Sequence, residues 1–246
     1  MLVLALDTTT RRGSVALARD GAIVDVWAGD PAITHGQRLP GDLMRLLDRQ
    51  HFCVADIDLF AVAAGPGSFT GLRIGIATMQ GLALANAKNI VGISALDALY
   101  HASLVALSPL PSALTSGVCV SGEVCVWMDA ARGEVFSARY RDGAVADGPS
   151  VETPAEVLAR WSGRNGDREH AMRFVGEGAI LYRDLIQAAL PAALVSSEVP
   201  MLAPTIALLA DAQARRQESV VPDAIRPLYV RRSDAELARD RKAGRS

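Results

Sequence analysis

The chain has 246 residues, of which 50% are hydrophobic and 21% are charged, and its formal net charge at pH 7 is −2. This is the composition of a globular protein with a core, and it excludes a chain that is disordered throughout. The small net charge provides no basic field of the kind that drives nucleic-acid binding. If this protein serves an RNA reaction, we therefore expect another protein to hold the RNA.

The cysteines and the apolar stretches indicate a cytoplasmic protein. Cys53, Cys119 and Cys125 are odd in number and lack a Cys-x-x-Cys spacing, and no signal peptide precedes them. This pattern predicts reduced, buried thiols and no zinc site. The longest apolar stretch is interrupted by Arg73, Gln80 and glycines, so no membrane span is expected.

The first half of the chain predicts five strands and three helices. Asp20-Gly21 between two apolar runs is a hairpin signal, and the other strands are continuous apolar runs that end in turn residues. The predicted strands cover 2–6, 14–18, 23–27, 59–64 and 90–93, and the predicted helices cover 39–50, 70 to about 87, and a segment from 94 onward.

The second half repeats this alternation after the pattern stops at 108–112. Strands are predicted at 118–120, 124–128, 135–140 and 173–175, and helices at 153–161, 180–190 and 204–216. Two β-rich halves, each opening with a strand, a turn and returning strands, predict an α/β protein of the actin-like (ASKHA) fold. Its two ribonuclease-H-like lobes have mixed β-sheets flanked by helices. We expect an N-terminal lobe at 1–106, a C-terminal lobe at 107–202, a C-terminal helix at about 203–232 that packs back on the first lobe, and a flexible tail at 233–246.

One helix in the first half is unusual because it is apolar on nearly every face and contains three glycines. It follows the loop Gly65-Pro66-Gly67-Ser68, and each glycine costs such a helix about 1 kcal/mol relative to alanine. Gly71, Gly75, Thr78 and Leu82 fall on one stripe, which forms a narrow groove. Two interpretations stay open: a central helix buried inside its own domain, and a helix that docks against a partner helix.

A turn rich in hydroxyl groups follows the first strand. Asp7 stands at the strand end and Thr8, Thr9 and Thr10 follow. In phosphotransferases of this architecture such a turn offers backbone N–H groups and hydroxyls to phosphate, while the aspartate holds hydrated magnesium. The structural alternative is that these threonines bridge the turn, as they do in many hairpins.

The four histidines do not form a metal platform. His35, His51, His101 and His170 contain no pair at a spacing of three to five residues. His35 lies just before a predicted helix, where we expect a capping or surface role. No nucleophile elbow and no cysteine in an electropositive helix start is present, so we predict no catalytic residues.

Five segments of the chain together resemble the TsaB family, which is also called YeaZ. The likeness extends from residue 1 to about 232, and the glycine-rich block from Gly65 is highly specific to that family. The segments are Asp7-Thr8-Thr9 with Gly13-Ser14-Val15-Ala16-Leu17, His35-Gly36-Gln37-Arg38-Leu39-Pro40, Gly65-Pro66-Gly67-Ser68-Phe69-Thr70-Gly71-Leu72-Arg73, Asp129-Ala130-Ala131-Arg132-Gly133-Glu134-Val135 and Arg226-Pro227-Leu228-Tyr229-Val230-Arg231.

The resemblance implies a non-catalytic scaffold or activator subunit for making threonylcarbamoyladenosine on tRNA, at the adenosine next to the anticodon. Its partners would be the paralogue TsaD, which carries the metal-binding histidine pair, and the ATPase TsaE, and tRNA would be reached only through the complex. The chain alone would form a homodimer. The resemblance also implies no cofactor of its own, with ATP or ADP and magnesium at a surface shared with TsaD.

The resemblance further implies that the pairing surface consists of helices of the first lobe. On this interpretation Gly75→Leu would abolish pairing with TsaD and leave the chain folded. The expected interface residues are Leu43, Leu46, Leu47, Gly71, Leu72, Gly75, Thr78 and Leu82.

Two other functions stay open at this point. One is a nucleotide-dependent phosphotransferase or ATPase of the actin-like superfamily that uses Asp7 and the threonines after it. The other is a metallopeptidase, which the missing histidine pair disfavours.

Overall fold

A computed structural model of the chain describes residues 1–105, 122–162 and 172–231. The predicted strand at 118–120, the lobe boundary near 107, Cys119, His170 and the predicted flexible tail at 233–246 lie outside these residues.

The first lobe contains a mixed five-stranded sheet. Its order is β3-β2-β1-β4-β5, in which β1 pairs antiparallel with β2 and parallel with β4. Each of these strands was predicted, and the Asp20-Gly21 turn joins β2 to β3 as expected. The strands are β1 (Leu2–Asp7), β2 (Ser14–Arg19), β3 (Ala22–Ala28), β4 (Leu59–Gly65) and β5 (Asn89–Ser94).

The second lobe repeats the topology of the first. Its sheet has the order β10-β9-β6-β7-β8, so the central strand again pairs antiparallel with the next strand and parallel with the one after the hairpins. This repetition, in two mixed sheets flanked by helices, confirms the predicted two-lobed actin-like fold. The strands are β6 (Glu123–Asp129), β7 (Val135–Arg141), β8 (Ala144–Glu152), β9 (Arg173–Val175) and β10 (Leu194–Val195).

Seven α-helices cover the two sheets in the described part of the chain. The first begins at His35, four residues before the predicted start, and therefore includes the histidine that was assigned to a loop. No helix among the described residues combines the length and the apolar run that a membrane crossing requires. The helices are α1 (His35–Arg49), α2 (Phe69–Ala85), α3 (Ala95–Val105), α4 (Pro154–Ser162), α5 (Glu177–Leu181), α6 (Arg183–Ala189) and α7 (Ala203–Arg215).

The hydrophobic core has three parts, and one of them crosses between the lobes. Helices α1 and α2 cover one face of the first sheet, and α4, α5 and α6 cover the outer face of the second. Helix α3 lies between the two sheets, and α7 packs beside it on the first sheet. Because α3 packs against both sheets, the two lobes share this one of the three core clusters.

The prediction of buried thiols is half right among the described residues. Cys125 is fully buried in β6, where burial raises the pKa of its thiol well above the ordinary value. Cys53 is exposed in a connecting turn after α1, so the prediction is wrong for this residue. Both cysteines are free.

A partly buried hydrogen bond joins the two lobes. The Tyr140 hydroxyl in β7 donates to Asp97 Oδ1 in α3 over 2.5 Å, and the Tyr140 ring stacks on Tyr100 with their centroids 4.1 Å apart. Burial, followed by the charge of Asp97, raises the pKa of Tyr140, so the hydroxyl stays a proton donor at any physiological pH.

We predict that Tyr140→Phe lowers the free energy of unfolding by about 1.5–3 kcal/mol, because it leaves the Asp97 carboxylate without its donor. Chemical denaturation followed by circular dichroism measures this loss. Tyr182→Phe is the matched control, because its hydroxyl makes no hydrogen bond to the described residues and only a small change is expected. An equal loss in both variants would contradict the prediction.

Candidate functional site

The turn after β1 is closed on itself by hydrogen bonds. Asp7 is buried, and its Oδ1 accepts from the Thr9 backbone N–H over 2.8 Å and from the Thr9 hydroxyl over 2.5 Å. Its Oδ2 accepts from the Thr10 hydroxyl over 3.0 Å. Burial raises the pKa of Asp7, although these hydrogen bonds oppose the rise.

The loop before α2 and the first turns of α2 cover this turn from outside. The Ser68 backbone N–H donates to the Thr9 carbonyl over 2.9 Å. A Cβ added at Gly71 would lie 2.1 Å from the Thr8 carbonyl oxygen, and one added at Gly75 would lie 2.1 Å from the Thr8 hydroxyl. The glycines therefore permit a backbone approach within the chain itself.

The four residues predicted to contact a nucleotide do not fit a magnesium–phosphate site. The Asp7 carboxylate already accepts three hydrogen bonds from its own turn, and Thr8 and Thr9 are buried beneath α2. A phosphate needs unpaired donors that face solvent or a cavity. Only Thr10 of this group is partly exposed, and Thr9, which lines a cleft between the lobes, already donates its N–H and its hydroxyl to Asp7. The bridging interpretation describes the contacts of Thr9 and Thr10, whereas the buried Thr8 hydroxyl has no hydrogen-bond partner among the described residues.

His35 holds the same turn from a third side. Its Nε2 lies 3.0 Å from the Thr10 carbonyl oxygen, and its Nδ1 lies 2.9 Å from Arg38 Nη2. Desolvation and the Arg38 charge lower the pKa of His35, which favours a neutral ring that donates through Nε2 and accepts through Nδ1. The residue fastens α1 to the turn, and neither the capping nor the surface role predicted for it applies.

Most of the predicted interface residues are buried inside the first lobe, which corrects that part of the prediction. Gly71 and Gly75 face Thr8, as described above, and only Thr78 and Leu82 are partly exposed. A partner cannot contact side chains that have no surface, so the small-residue groove is filled by the chain's own turn. The buried members are Leu43, Leu46, Leu47, Gly71, Leu72 and Gly75.

The opposite face of α2 carries a different row of residues, mostly small or apolar and including Arg73, which we call the α2 stripe. Its members recur every three or four positions and are all exposed, and a Cβ at Gly81 would meet nothing within 4 Å. The sequence already contained a sign of this exposed face. Gly81 does not fall on the same side of the helix as Gly71 and Gly75, so it marks a second face of α2. The stripe comprises Thr70, Arg73, Ala77, Gly81 and Leu84.

A cleft of about 950 Å³, which we call the inter-lobe cleft, opens between the lobes beside the N-terminus of α2. Asp129 at the end of β6 and Glu177 at the start of α5 contribute its carboxylates. Burial, and then the charges of Asp7 and Asp129, raise the pKa of Glu177 to about 7. Sequence reasoning missed Glu177, since its Gly-x-Gly setting alone is a weak signal.

An aromatic cluster stands at the mouth of this cleft. The Arg73 guanidinium lies 4.0 Å from the Phe69 ring centroid, and its Nε donates to the Tyr229 hydroxyl over 3.0 Å. The Phe69 and Tyr229 rings are 5.5 Å apart and both are exposed. The cluster joins the start of α2 to the C-terminal segment, so the cleft and the α2 stripe share Arg73.

We predict that glycines on opposite faces of α2 respond oppositely to alanine. Gly71→Ala should lower the free energy of unfolding by about 1–3 kcal/mol, because its Cβ would overlap the Thr8 carbonyl. Gly81→Ala is the matched control and should raise it by up to about 1 kcal/mol, because alanine favours helix. Gly75→Leu should unfold the chain, contrary to the earlier expectation. Chemical denaturation of the three variants measures these free energies of unfolding. A stable, folded Gly75→Leu variant would refute the packing of α2 on Thr8.

We predict that Glu177→Gln stabilises the protein at pH 8. The carboxyl has a pKa of about 7 when folded and an ordinary value of 4.5. Its ionisation therefore opposes folding, and the stability present below pH 4.5 is lost as the pH rises through 7. At pH 8 the free energy of unfolding of the variant should exceed that of the native chain by on the order of 1–3 kcal/mol, and this difference should vanish near pH 4.5. Denaturation at both pH values tests this, and exposed Glu198→Gln is the control. A gain that does not depend on pH would contradict the assignment.

Comparisons with known proteins agree on one family. The family model described as "TsaD: tRNA N6-adenosine threonylcarbamoyltransferase" matches residues 31–239. An uncharacterized protein of Mycobacterium leprae is 32% identical over 160 residues, which are 63% of this chain and 40% of that protein. The tRNA threonylcarbamoyladenosine biosynthesis protein TsaB of Escherichia coli is 41% identical over 96 residues, 39% of this chain and 41% of its own length. The matches thus span less than half of either curated relative.

A solved structure matches over nearly the whole chain. A Pseudomonas aeruginosa protein described as similar to the peptidase YeaZ superposes with a TM-score of 0.71 at 28% identity, and the match covers 94% of this chain and 99% of that one. The shared family model and this superposition bear out the resemblance. The chain therefore belongs to the family of that model, in its TsaB (YeaZ) group.

Proposed function

We propose that this chain is a non-catalytic scaffold or activator subunit that pairs with a TsaD-type protein in forming threonylcarbamoyladenosine on the tRNA adenosine next to the anticodon. The relatives named TsaB and the family model support this proposal. The observation that carries it is the exposed α2 stripe, because it gives a protein of this family a surface for pairing.

The stripe has the features of a helix-docking surface. Leu84 is 63% exposed, and Gly81 and Ala77 lie one and two turns before it. Small residues one turn apart let a second helix approach closely, and the leucine supplies apolar area that water solvates poorly.

Other parts of the proposed role stay predictions. They are a TsaE-type ATPase as second partner, a homodimer when the chain is alone, contact with tRNA only through the complex, ATP or ADP with magnesium at a surface shared with the TsaD-type partner, and a cytoplasmic location. The net charge of −2 supports the indirect contact with tRNA. No observation favours the phosphotransferase alternative.

We predict that Gly81→Leu blocks pairing while the chain stays folded. The added side chain has free space in the isolated chain, so it obstructs only a helix that lies on the stripe. The chain is co-expressed with the TsaD-type protein of the same organism, and co-elution in size-exclusion chromatography is measured. At least a tenfold loss of complex is expected.

The matched control places leucine on an exposed helix face of the other lobe, at Ala159 in α4. Ala159→Leu should co-elute like the native chain. If Gly81→Leu also co-elutes, the pairing surface is not the α2 stripe.

An assay of the tRNA modification tests the proposed scaffold role directly. Unmodified tRNA, the TsaD-type and TsaE-type proteins, and their small substrates are combined with and without this chain, and threonylcarbamoyladenosine is measured by mass spectrometry. We expect product only when the chain is present. Equal product without it would refute the scaffold role.

A further inference from the structure

The inter-lobe cleft has apolar walls that come from both lobes. Phe69 and Leu228 line it from the first lobe, and Leu181, which is 60% exposed, lines it from the second. Tyr229 adds a fourth exposed apolar side chain on the same cleft. Exposed apolar groups that converge on one cavity mark a binding site rather than scattered surface residues.

Two carboxylates, those of Asp129 and Glu177, lie close together on the wall of the cleft. Asp129 is exposed there, and the partly buried Glu177 accepts a backbone N–H from Asp129. Neither carboxylate forms an ion pair with the described residues. Burial raises the pKa of Glu177, and the negative charges of Asp7 and Asp129 raise it further. A basic group from outside would supply the missing charge.

The mouth of the cleft has the opposite charge. Arg11, Arg73 and Arg132 are exposed among its lining residues, and Arg231 is bound to Glu134. An occupant that fits both groups of residues therefore carries a basic group for the carboxylates and acidic groups for the arginines. A free phosphate or nucleotide places its charge against the carboxylates, and no cluster of three potential ligands in the described residues suits a metal ion.

We propose that the inter-lobe cleft binds a segment of the TsaD-type partner in which one lysine or arginine stands between apolar residues, with acidic residues next to them. The basic side chain lies against Asp129 and Glu177, the apolar residues pack on Phe69, Leu181 and Leu228, and the acidic residues face Arg73. Charge complementarity and the apolar walls select this occupant.

The position of the cleft makes this partner the natural source of the segment. Arg73 belongs both to the α2 stripe and to the cleft mouth, so a protein that covers the stripe borders the cleft. The inference rests on the proposed function, since it takes the partner from there. It adds a second contact, distinct from helix packing on α2.

Site-specific photo-cross-linking tests the proposal in the assembled complex. Leu181 is replaced by p-benzoylphenylalanine, and the control replaces Val145, which is 52% exposed on β8 and does not line the cleft. We expect a cross-link to the TsaD-type partner from position 181 and none from position 145. Mass spectrometry should identify a partner peptide with a lysine or arginine between apolar residues. Adding Asp129→Asn and Glu177→Gln should reduce the yield at least fivefold.

Four results would overturn the inference while the complex still co-elutes. They are no cross-link above the control, a partner peptide without a basic residue, a cross-link to tRNA, and a cross-link within this chain to the segment after Arg231. A yield that the two carboxylate substitutions leave unchanged would overturn the charge argument as well. Absence of the complex itself would refute the proposed function, and the inference with it.

Discussion

The approach of α2 to the turn after β1 is the constraint on which the rest of the structure depends. Gly71 and Gly75 bring the helix so close to Thr8 that any larger side chain would overlap it. This contact buries one face of α2, closes the turn at Asp7 and fixes which residues of the helix face outward. The exposed stripe with Gly81 and the mouth of the inter-lobe cleft follow from the same placement, because both begin at the first turn of α2.

The two lobes share a topology but use its equivalent turns differently. Asp7 ends β1 and Asp129 ends β6, each at the point where the chain turns back into an antiparallel neighbour. In the first lobe the 17-residue α2 covers the turn and Asp7 is buried. In the second lobe α5 has only 5 residues, its N-cap Gly176 and its Gly178 lie against β6, and Asp129 stays exposed. The cleft therefore takes its accessible negative charge from the second lobe.

The sequence predicted the architecture well because its strands are local patterns. Continuous apolar runs, Asp20-Gly21 and the repeated strand–turn–strand order were enough to place the first sheet and three strands of the second. The edge strands β8 and β10 of the second sheet were not predicted. The interface assignment failed because glycine spacing shows that something approaches closely and does not show what. The cleft was missed for a similar reason: Glu177, Phe69 and Tyr229 are far apart in the chain and meet only after the lobes share a core. No single-segment pattern contains that information.

The composition of α2 also has a consequence for its assembled state. A helix that is apolar all round is expected to be covered on more than one side. The fold of this chain covers one side through Gly71 and Gly75 and leaves the other, with Gly81 and Leu84, in water. The three glycines carry a similar helix penalty, yet contacts within the described part of the chain explain the first two and not the third. A partner helix on the α2 stripe would explain the third, so the sequence of α2 fits the paired protein better than the isolated one.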